Sequence, residues 1–590
     1  MDQKLKALRK VMNENKVDAI IIPSSDPHQS EYVADHWQER AWISGFTGSA
    51  GWVVVTQDHA GLWTDSRYFL QAEMQIKGSE FVLHKMHQQF GMAYIDYLME
   101  VLPAESTVCI NGFMFAKAAV DGMVKSFAPK RIQVVHRLDL ISLIWSDRPP
   151  LSNAPILFHE DRFSGNPISR KLSVIRQEMD RNEVRYHLIT ALDDLAWTFN
   201  IRGKDVAYNP VAIAYAVVGL SDAHIFVDQS KLSIAVKKEF AQNNITIHPY
   251  ASIIGFINQL EATDNILVDH QLCSQSLYES INAHIVHGNS IPKTLKAIKN
   301  ETEISHIRSV MKKDGAALAN TFYWLEQTLG KGDHISEVDV ANKLAEHRSE
   351  QKYYQGESFG AIVGYKGNGA IIHYHPEPET CKTIHPEGIL LVDSGGQYCD
   401  GTTDITRTFA LDMPTDEQKK SYTLILKGMI ALTLAKFPEG TTGIQLDILA
   451  RQFLWAEGLN YGHGTGHGVG FYLNVHEPPQ GFAPTIASER GRSVFLAGML
   501  TSNEPGYYKE GEYGMRIENL ILTIPAKAEG FLEFETVTLY PFDHALIDKS
   551  RLTGTEIKWI NDYHQSVYEH IVPSLEGEVK EWFREKCKEV

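Results

Sequence analysis

Glycine occupies every even position from Gly462 to Gly470 in the run GHGTGHGVG. Such a run forbids a helix, because each interior glycine costs roughly 1 kcal/mol against alanine. His463, Thr465, His467 and Val469 fall on the odd positions, so an extended chain puts all four side chains on one face. The opposite face, stripped of Cβ atoms, lets another backbone or a substrate come close. The segment is therefore predicted as strand or loop. That separates it from HExxH sites, where a helix presents the histidines and a Glu follows the first of them directly.

Four acidic residues nearby occupy positions of a similar kind. In GILLVDSGGQYCDGTTDITRTFA, an apolar strand from Gly388 ends at Asp393, the middle is rich in Gly, Asp and Tyr, and polar and apolar residues alternate from Thr403. The pattern is a β-hairpin that brings Asp393 and Asp404 near each other across two strands. In GMLTSNEPGYY, Pro505 biases Glu504 towards extended backbone and Pro-Gly starts a turn, which places the carboxylate at a strand exit. In YGMRIENLILTI, alternation puts Arg516, Glu518 and Leu520 on one face of the next strand, with Arg516 able to orient a neighbouring carboxylate. Taken singly, each acid reads as a turn or strand-end charge and His467 as a structural histidine. Taken together, four carboxylates and one imidazole suit two divalent ions bridged by carboxylate, with an open edge for water. The pattern is that of a two-metal hydrolase.

The rest of the chain is compatible with this. At 590 residues it exceeds what one core supports, and roughly three or four domains are expected. Its net charge of −17 argues against nucleic acid or an anionic membrane as partner, since both select for Lys and Arg. No apolar run approaches the roughly 18 residues of a membrane span. The start, MDQKLKALRKVMNENKVDAIIIP, shows no apolar stretch ahead of a small-residue cleavage site. Five scattered cysteines without CxxC spacing indicate neither a disulfide framework nor a zinc knuckle. A soluble, cytoplasmic protein is expected. Leu8-Arg9, Met12, Asn15, Val17 and Asp26 recur 167 positions later as Ile175-Arg176, Met179, Asn182, Val184 and Asp193. Each copy reads as an amphipathic helix followed by an apolar strand, the start of an α/β unit. The proline-rich stretch SDRPPLSNAPILFHEDRFSGNP and the Ile291-Pro292-Lys293 segment read as boundaries, giving domains 1–150, 151–292 and 293–590.

VDSGGQYCDGTTDITRTF, HGTGHGVG, NVHEPP, EPGYY and GMRIEN resemble, in order and wording, the signatures of the M24 pita-bread metallopeptidases, and within them the long three-domain Xaa-Pro aminopeptidase branch. SEYVADHWQERAWISGFTGSAGWVVVTQDHAGLWTDSRYFLQ is similar to the N-terminal domain of that branch, so the resemblance covers essentially the whole chain. It implies an α/β (α+β) fold class, with two related creatinase-N-like α/β domains followed by a C-terminal pita-bread domain. It implies two Mn(2+) ions, with Zn or Co able to occupy the same ligands. Asp404 and Glu518 would bridge them, Asp393 would complete one site, and His467 with Glu504 the other. His373 in GAIIHYHP, His463, and His476 in NVHEPP would position substrate and stabilise the tetrahedral intermediate, with Glu504 moving the proton and Arg516 supporting a ligand. By itself His373 reads equally well as a buried strand histidine. Arg67 in WTDSRYFLQ would lie near longer substrates, or be an ordinary surface or structural arginine.

The activity implied is release of the first residue from peptides with proline second. The partners implied are Xaa-Pro peptides and a second copy of the chain, with no nucleic acid and no membrane. A prolidase restricted to dipeptides is the alternative within the fold, and a non-catalytic binding module is the alternative outside catalysis. The middle domain disfavours the first and the full ligand set disfavours the second. APTIASERGRSVFLAG, between His476 and Glu504, is longer than the family's usual connection.

Overall fold

The computed structural model describes residues 2–86 and 91–590. It divides into two compact units, Met1–Glu160 with Asn166–Lys293, and Asp161–Gly165 with Thr294–Val590.

The first unit contains two six-stranded sheets built to one plan. Across the first, the order is Val82–Met86, Ala60–Asp65, Trp52–Thr56, Ala19–Ile22, Thr107–Cys109, Gln133–Val135. Across the second it is Ile245–His248, Ala223–Val227, Ala214–Gly219, Tyr186–Ile189, Asn265–Val268, His284–His287. Successive pairs in both are parallel, antiparallel, antiparallel, parallel, parallel. The repeat in the sequence is therefore a repeat of architecture. The helices Asp2–Glu14 and Ile168–Arg181 bury Leu5, Leu8 and Met12 in one copy and Leu172, Ile175 and Met179 in the other, at matching positions. These apolar side chains at helical spacing are the stripe each helix lays on its sheet.

The second unit opens with the helix Glu301–Gly330, started by a capping box between Asn300 and Glu303. Ile304, Ile307, Val310 and Met311 are buried as their periodicity requires, and Phe163, from the short helix Asp161–Ser164, joins the same cluster. That contact explains why Asp161–Gly165 belongs with this unit although the surrounding chain does not. Three sheets carry the region of interest. One is three-stranded, Ile362–Tyr365, Ile389–Ser394, Ile405–Ala410. One is six-stranded, Lys436–Pro438, Phe531–Thr536, Asn519–Pro525, Leu500–Asn503, Gly466–Gly468, Glu477–Phe482. The third is a ribbon of Gly506–Lys509 and Tyr513–Arg516. The helices Asp416–Thr433 and Gly443–Trp455 pack against each other beside them. The C-terminal helix Gly577–Lys586 seats Phe583 in the core against Tyr540. No helix among the described residues is long and apolar enough to cross a membrane.

Candidate metal centre

Asp393 lies opposite Thr406 in the antiparallel pair Ile389–Ser394 and Ile405–Ala410, and Asp404 stands one residue ahead of the second strand. The hairpin expected from the sequence forms, and its tip folds over into a second pairing of Gly396–Tyr398 with Gly401–Thr402. His467 sits in the middle of the short strand Gly466–Gly468, between Glu477–Phe482 and Leu500–Asn503. A Cβ on Gly466 would stand 1.9 Å from the Ser502 carbonyl oxygen, and one on Gly468 would stand 2.3 Å from that of Glu477. The bare face of the glycine run thus admits backbone on both sides. Gly466→Ala is expected to cost at least about 3 kcal/mol, since a backbone carbonyl cannot yield as an overpacked side chain does. Thermal melting of the variant checks this, and an unchanged midpoint would contradict the close packing.

Two details depart from the sequence reading. Only Gly466–Gly468 is strand, so the four odd-position side chains do not share a face: Thr465 bonds Asp447, and Val469 joins the apolar cluster with Leu500 and Leu520. The run from Tyr513 to Pro525 is not one strand either. It breaks at Ile517 and Glu518, whose amides donate to the carbonyls of Pro505 and Thr406. Arg516 and Glu518 nevertheless both reach Thr406: Arg516 Nε donates to its Oγ1 at 3.1 Å, and that hydroxyl donates to Glu518 Oε2 at 2.8 Å.

Asp404, His467 and Glu518 each present a ligand atom within 4.8 Å of the others. His467 Nδ1–H donates to the Gly468 carbonyl at 2.9 Å, which turns Nε2 towards Asp404 Oδ2 and Glu504 Oε1, each 3.5 Å away. The Glu504 amide donates to the Thr465 carbonyl at 2.8 Å, and Ser502 Oγ donates to Glu504 Oε1 at 3.2 Å. Asp393 Oδ2 takes a bond from Arg516 Nη2 at 2.5 Å. Asp393 Oδ1 and Glu518 Oε1 are buried without a hydrogen-bond partner. Buried oxygens are normally paired, so these two call for a partner that is not a protein donor.

The electrostatics agree. Burial and the charges of Glu518, Asp393 and Glu504 hold the Asp404 carboxyl well above the usual range. Burial, then Glu504 and Asp393, do the same to Glu518. Glu504 is raised by burial despite the opposing pull of Arg516, His476 and Arg490. Carboxylates crowded in this way lack positive charge, and two divalent ions match four of them with one imidazole. The residues fit a dinuclear centre.

Around these donors, Arg516 Nη1 donates to the Tyr508 hydroxyl at 2.6 Å, and Tyr508 meets His463 Nε2 at 2.8 Å. Burial pushes the Tyr508 pKa to about 12, so the phenol stays protonated and donates to His463. His476 stacks edge-on to His467 with ring centroids 4.2 Å apart. His373 is half-buried in a turn, not in a strand. Its neighbour His375, which the sequence reading passed over, feels the charge of Asp393. Arg67 belongs to the first unit, where both arms of its guanidinium grip Asp65 at 2.8 Å. Arg490, from the long connection after His476, packs its stem over Gly481 and lies near enough to Glu504 to lower its pKa. Thr406, Tyr508, His375 and Arg490 have no local signature in sequence. Their only sign is proximity across large sequence separations.

The model of metallopeptidase family M24 matches residues 305–524, and that of its C-terminal region matches 530–590. Models of the creatinase/prolidase N-terminal domain match residues 4–135 and 147–303. The chain is 39% identical to "Probable Xaa-Pro aminopeptidase P" of Coprinopsis cinerea, over 99% of this chain and 97% of that one. It is also 39% identical to "Aminopeptidase P2" of Arabidopsis thaliana, over 98% and 87%. Among solved structures, the X-prolyl aminopeptidase of Caenorhabditis elegans, described as a cytosolic enzyme with a di-nuclear active site, superposes with a TM-score of 0.95 at 34% identity, covering 100% of this chain and 99% of that one. Related to such proteins from end to end, and carrying two creatinase/prolidase N-terminal domains ahead of its peptidase domain, the chain belongs to metallopeptidase family M24.

Proposed function

We propose that the protein is a metal-dependent aminopeptidase that releases the N-terminal residue from peptides with proline in the second position, using two divalent ions held by Asp393, Asp404, His467, Glu504 and Glu518. The observation that carries the reading is the convergence of His467 Nε2 with the carboxylates of Asp404 and Glu504, beside two buried oxygens without a hydrogen-bond partner. The substrate class rests on the end-to-end relation to proteins named Xaa-Pro aminopeptidase P. Manganese is the proposed metal, because an oxygen-rich set with a single imidazole favours hard to borderline ions. The reading includes a cytoplasmic homodimer, and domains at 1–150, 151–292 and 293–590 with Asp161–Gly165 assigned to the last. The worm relative's description as cytosolic supports the compartment, and sedimentation checks the dimer.

Bound divalent ions supply Lewis acidity for the scissile carbonyl and lower the pKa of an attacking water towards neutrality. The chain's own residues do the rest. Glu504, oriented by Ser502, takes the water proton on Oε and returns it to the leaving nitrogen. Arg516 fixes Asp393 and, through Tyr508, presents His463 with its Nδ1–H donated to the Gly464 carbonyl at 2.8 Å. His476 and His373 line the approach to the reacting carbonyl and stabilise developing negative charge, while His463, whose two ring nitrogens are engaged by Tyr508 and the Gly464 carbonyl, helps to position substrate. Proline makes the leaving group a tertiary nitrogen on a fixed ring, a shape a rigid site can select.

The test is hydrolysis of an Xaa-Pro-Xaa tripeptide and the matching Xaa-Pro dipeptide by metal-stripped protein, before and after addition of manganese, zinc or cobalt. Manganese-dependent release of the first residue from the tripeptide is expected. Cleavage of the dipeptide alone would make the protein a prolidase, and no cleavage with any metal would refute the catalytic reading.

A further inference from the structure

A segment with five glycines in nine residues has no stiffness of its own, yet the residues proposed to act on substrate and metal are set within it and bonded to it. The rigidity comes from behind. Asp447 and Arg451, one turn apart on the helix Gly443–Trp455, form an ion pair whose two side chains are each only 2% exposed. Arg451 Nε donates to Asp447 Oδ2 at 2.6 Å. The other two arms of the guanidinium leave the helix, Nη1 donating to the Tyr461 carbonyl at 2.8 Å and Nη2 to the His463 carbonyl at 2.6 Å. The guanidinium also lies over the Tyr461 ring, 3.9 Å from its centroid. Asp447 Oδ1 accepts from Thr465 Oγ1 at 2.7 Å, and the Thr465 carbonyl accepts the Glu504 amide at 2.8 Å. Three consecutive odd-numbered residues, 461, 463 and 465, are thus gripped by one buried ion pair. The helix carrying it is seated hard against the same sheet, since a Cβ on Gly443 would fall 1.9 Å from the Gly481 carbonyl oxygen.

We propose that Asp447 and Arg451 form a clamp that rigidifies residues 461–465, making them positioning residues for His463 and, through Thr465, for Glu504; the catalytic part of this inference rests on the aminopeptidase reading. A buried ion pair stabilises poorly when both charges are simply taken from water, so its retention here is explained by the directed bonds it makes. The geometry also requires arginine. Four acceptors, from Asp447, Asn460, Tyr461 and His463, surround the one side chain; the five N–H groups of a guanidinium fork can serve them all, whereas an ammonium has three.

Three variants of the full-length, manganese-loaded protein test this: R451M, R451K and T465V, the last removing the hydroxyl that joins Asp447 and the Tyr461 phenol. Amide exchange over residues 461–470 is read together with kcat and KM on an Xaa-Pro-Xaa tripeptide. In R451M and R451K alike, exchange over 461–470 is expected to rise at least about tenfold with that of the helix Glu301–Gly330 unchanged, and kcat to fall about 30- to 100-fold with KM within about threefold, the scale of a misplaced reacting group. T465V is expected to lose about tenfold in kcat with KM within about threefold, at the low end for an outer partner of a metal site. Wild-type exchange and kcat in R451K would overturn the clamp, leaving Arg451 as charge balance for Asp447. An increase in exchange spread evenly over the unit, or a T465V variant with wild-type kcat, would overturn it too. If the wild-type protein cleaves no Xaa-Pro peptide with any metal, the aminopeptidase reading and the positioning role fail together, and the exchange data still decide whether the clamp exists.

Discussion

Asp404→Asn is expected to lower kcat/KM on an Xaa-Pro-Xaa tripeptide by more than about 10³-fold, since even outer partners of metal ligands are worth about 10- to 100-fold. The same variant is expected to melt higher than wild type when both are metal-free. Asp404 is buried beside Glu518, Asp393 and Glu504, and its carboxyl is held well above the normal range by burial and by those neighbours. Removing one charge relieves the others, while asparagine keeps the volume. The two effects have opposite signs, which is the mark of a residue kept for function at the expense of stability. Tripeptide kinetics, metal stoichiometry and melting of the stripped proteins measure both. Near-normal activity would sink the ligand assignment, and a lower metal-free melting point would show that the repulsion is not what the carboxylates experience.

Chelation is expected to lower the melting temperature by more at alkaline than at acidic pH. The folded, metal-free protein raises the pKa values of Asp404, Glu504 and Glu518. A carboxyl whose folded pKa exceeds its unfolded value contributes stability that is intact below the unfolded pKa of about 4 and is lost as pH rises through the folded one. The stripped protein should therefore weaken steadily on going from acid towards neutral and alkaline pH. With ions bound, the carboxylates are matched by positive charge and that loss disappears. Comparing stripped and manganese-loaded protein at about pH 5.5 and about pH 8 reads the difference directly. A gap that stays constant or narrows with pH would mean the carboxylates are not mutually destabilising.

Much of the fold, and the local placement of the proposed donors, was legible in the sequence because its causes are local. The doubled α/β unit shows itself in buried residues recurring 167 positions apart, from Leu8 and Met12 to Ile175 and Met179. Asp393 and Asp404 share one hairpin because its pattern dictates it, Asp393 opposite Thr406 and Asp404 just ahead of that strand, and Glu504 stands one residue past its strand, before Pro505. What escaped the sequence is decided by packing. Alternation predicted one strand from Tyr513 onward, but the Glu518 amide finds the Thr406 carbonyl and breaks it. Alternation also gave the glycine run one functional face, whereas Val469 is drawn into an apolar cluster with Leu500 and Leu520. Arg451, Tyr508 and Arg490 look ordinary in their own segments and acquire a role only from residues they meet in space.

The donors arrive from separate sheets, with Thr406 bonded to Glu518 across 112 positions of chain. During synthesis, Asp393, Asp404 and His467 are made ahead of Glu504 and Glu518, the last of the proposed donors. Pairings of such sequence separation form late, so a nascent or broken chain cannot assemble the complete set of donors. Acquisition of the proposed ions would thereby wait on the segment that carries Glu504 and Glu518, and a chain ending short of Glu518 would hold them poorly.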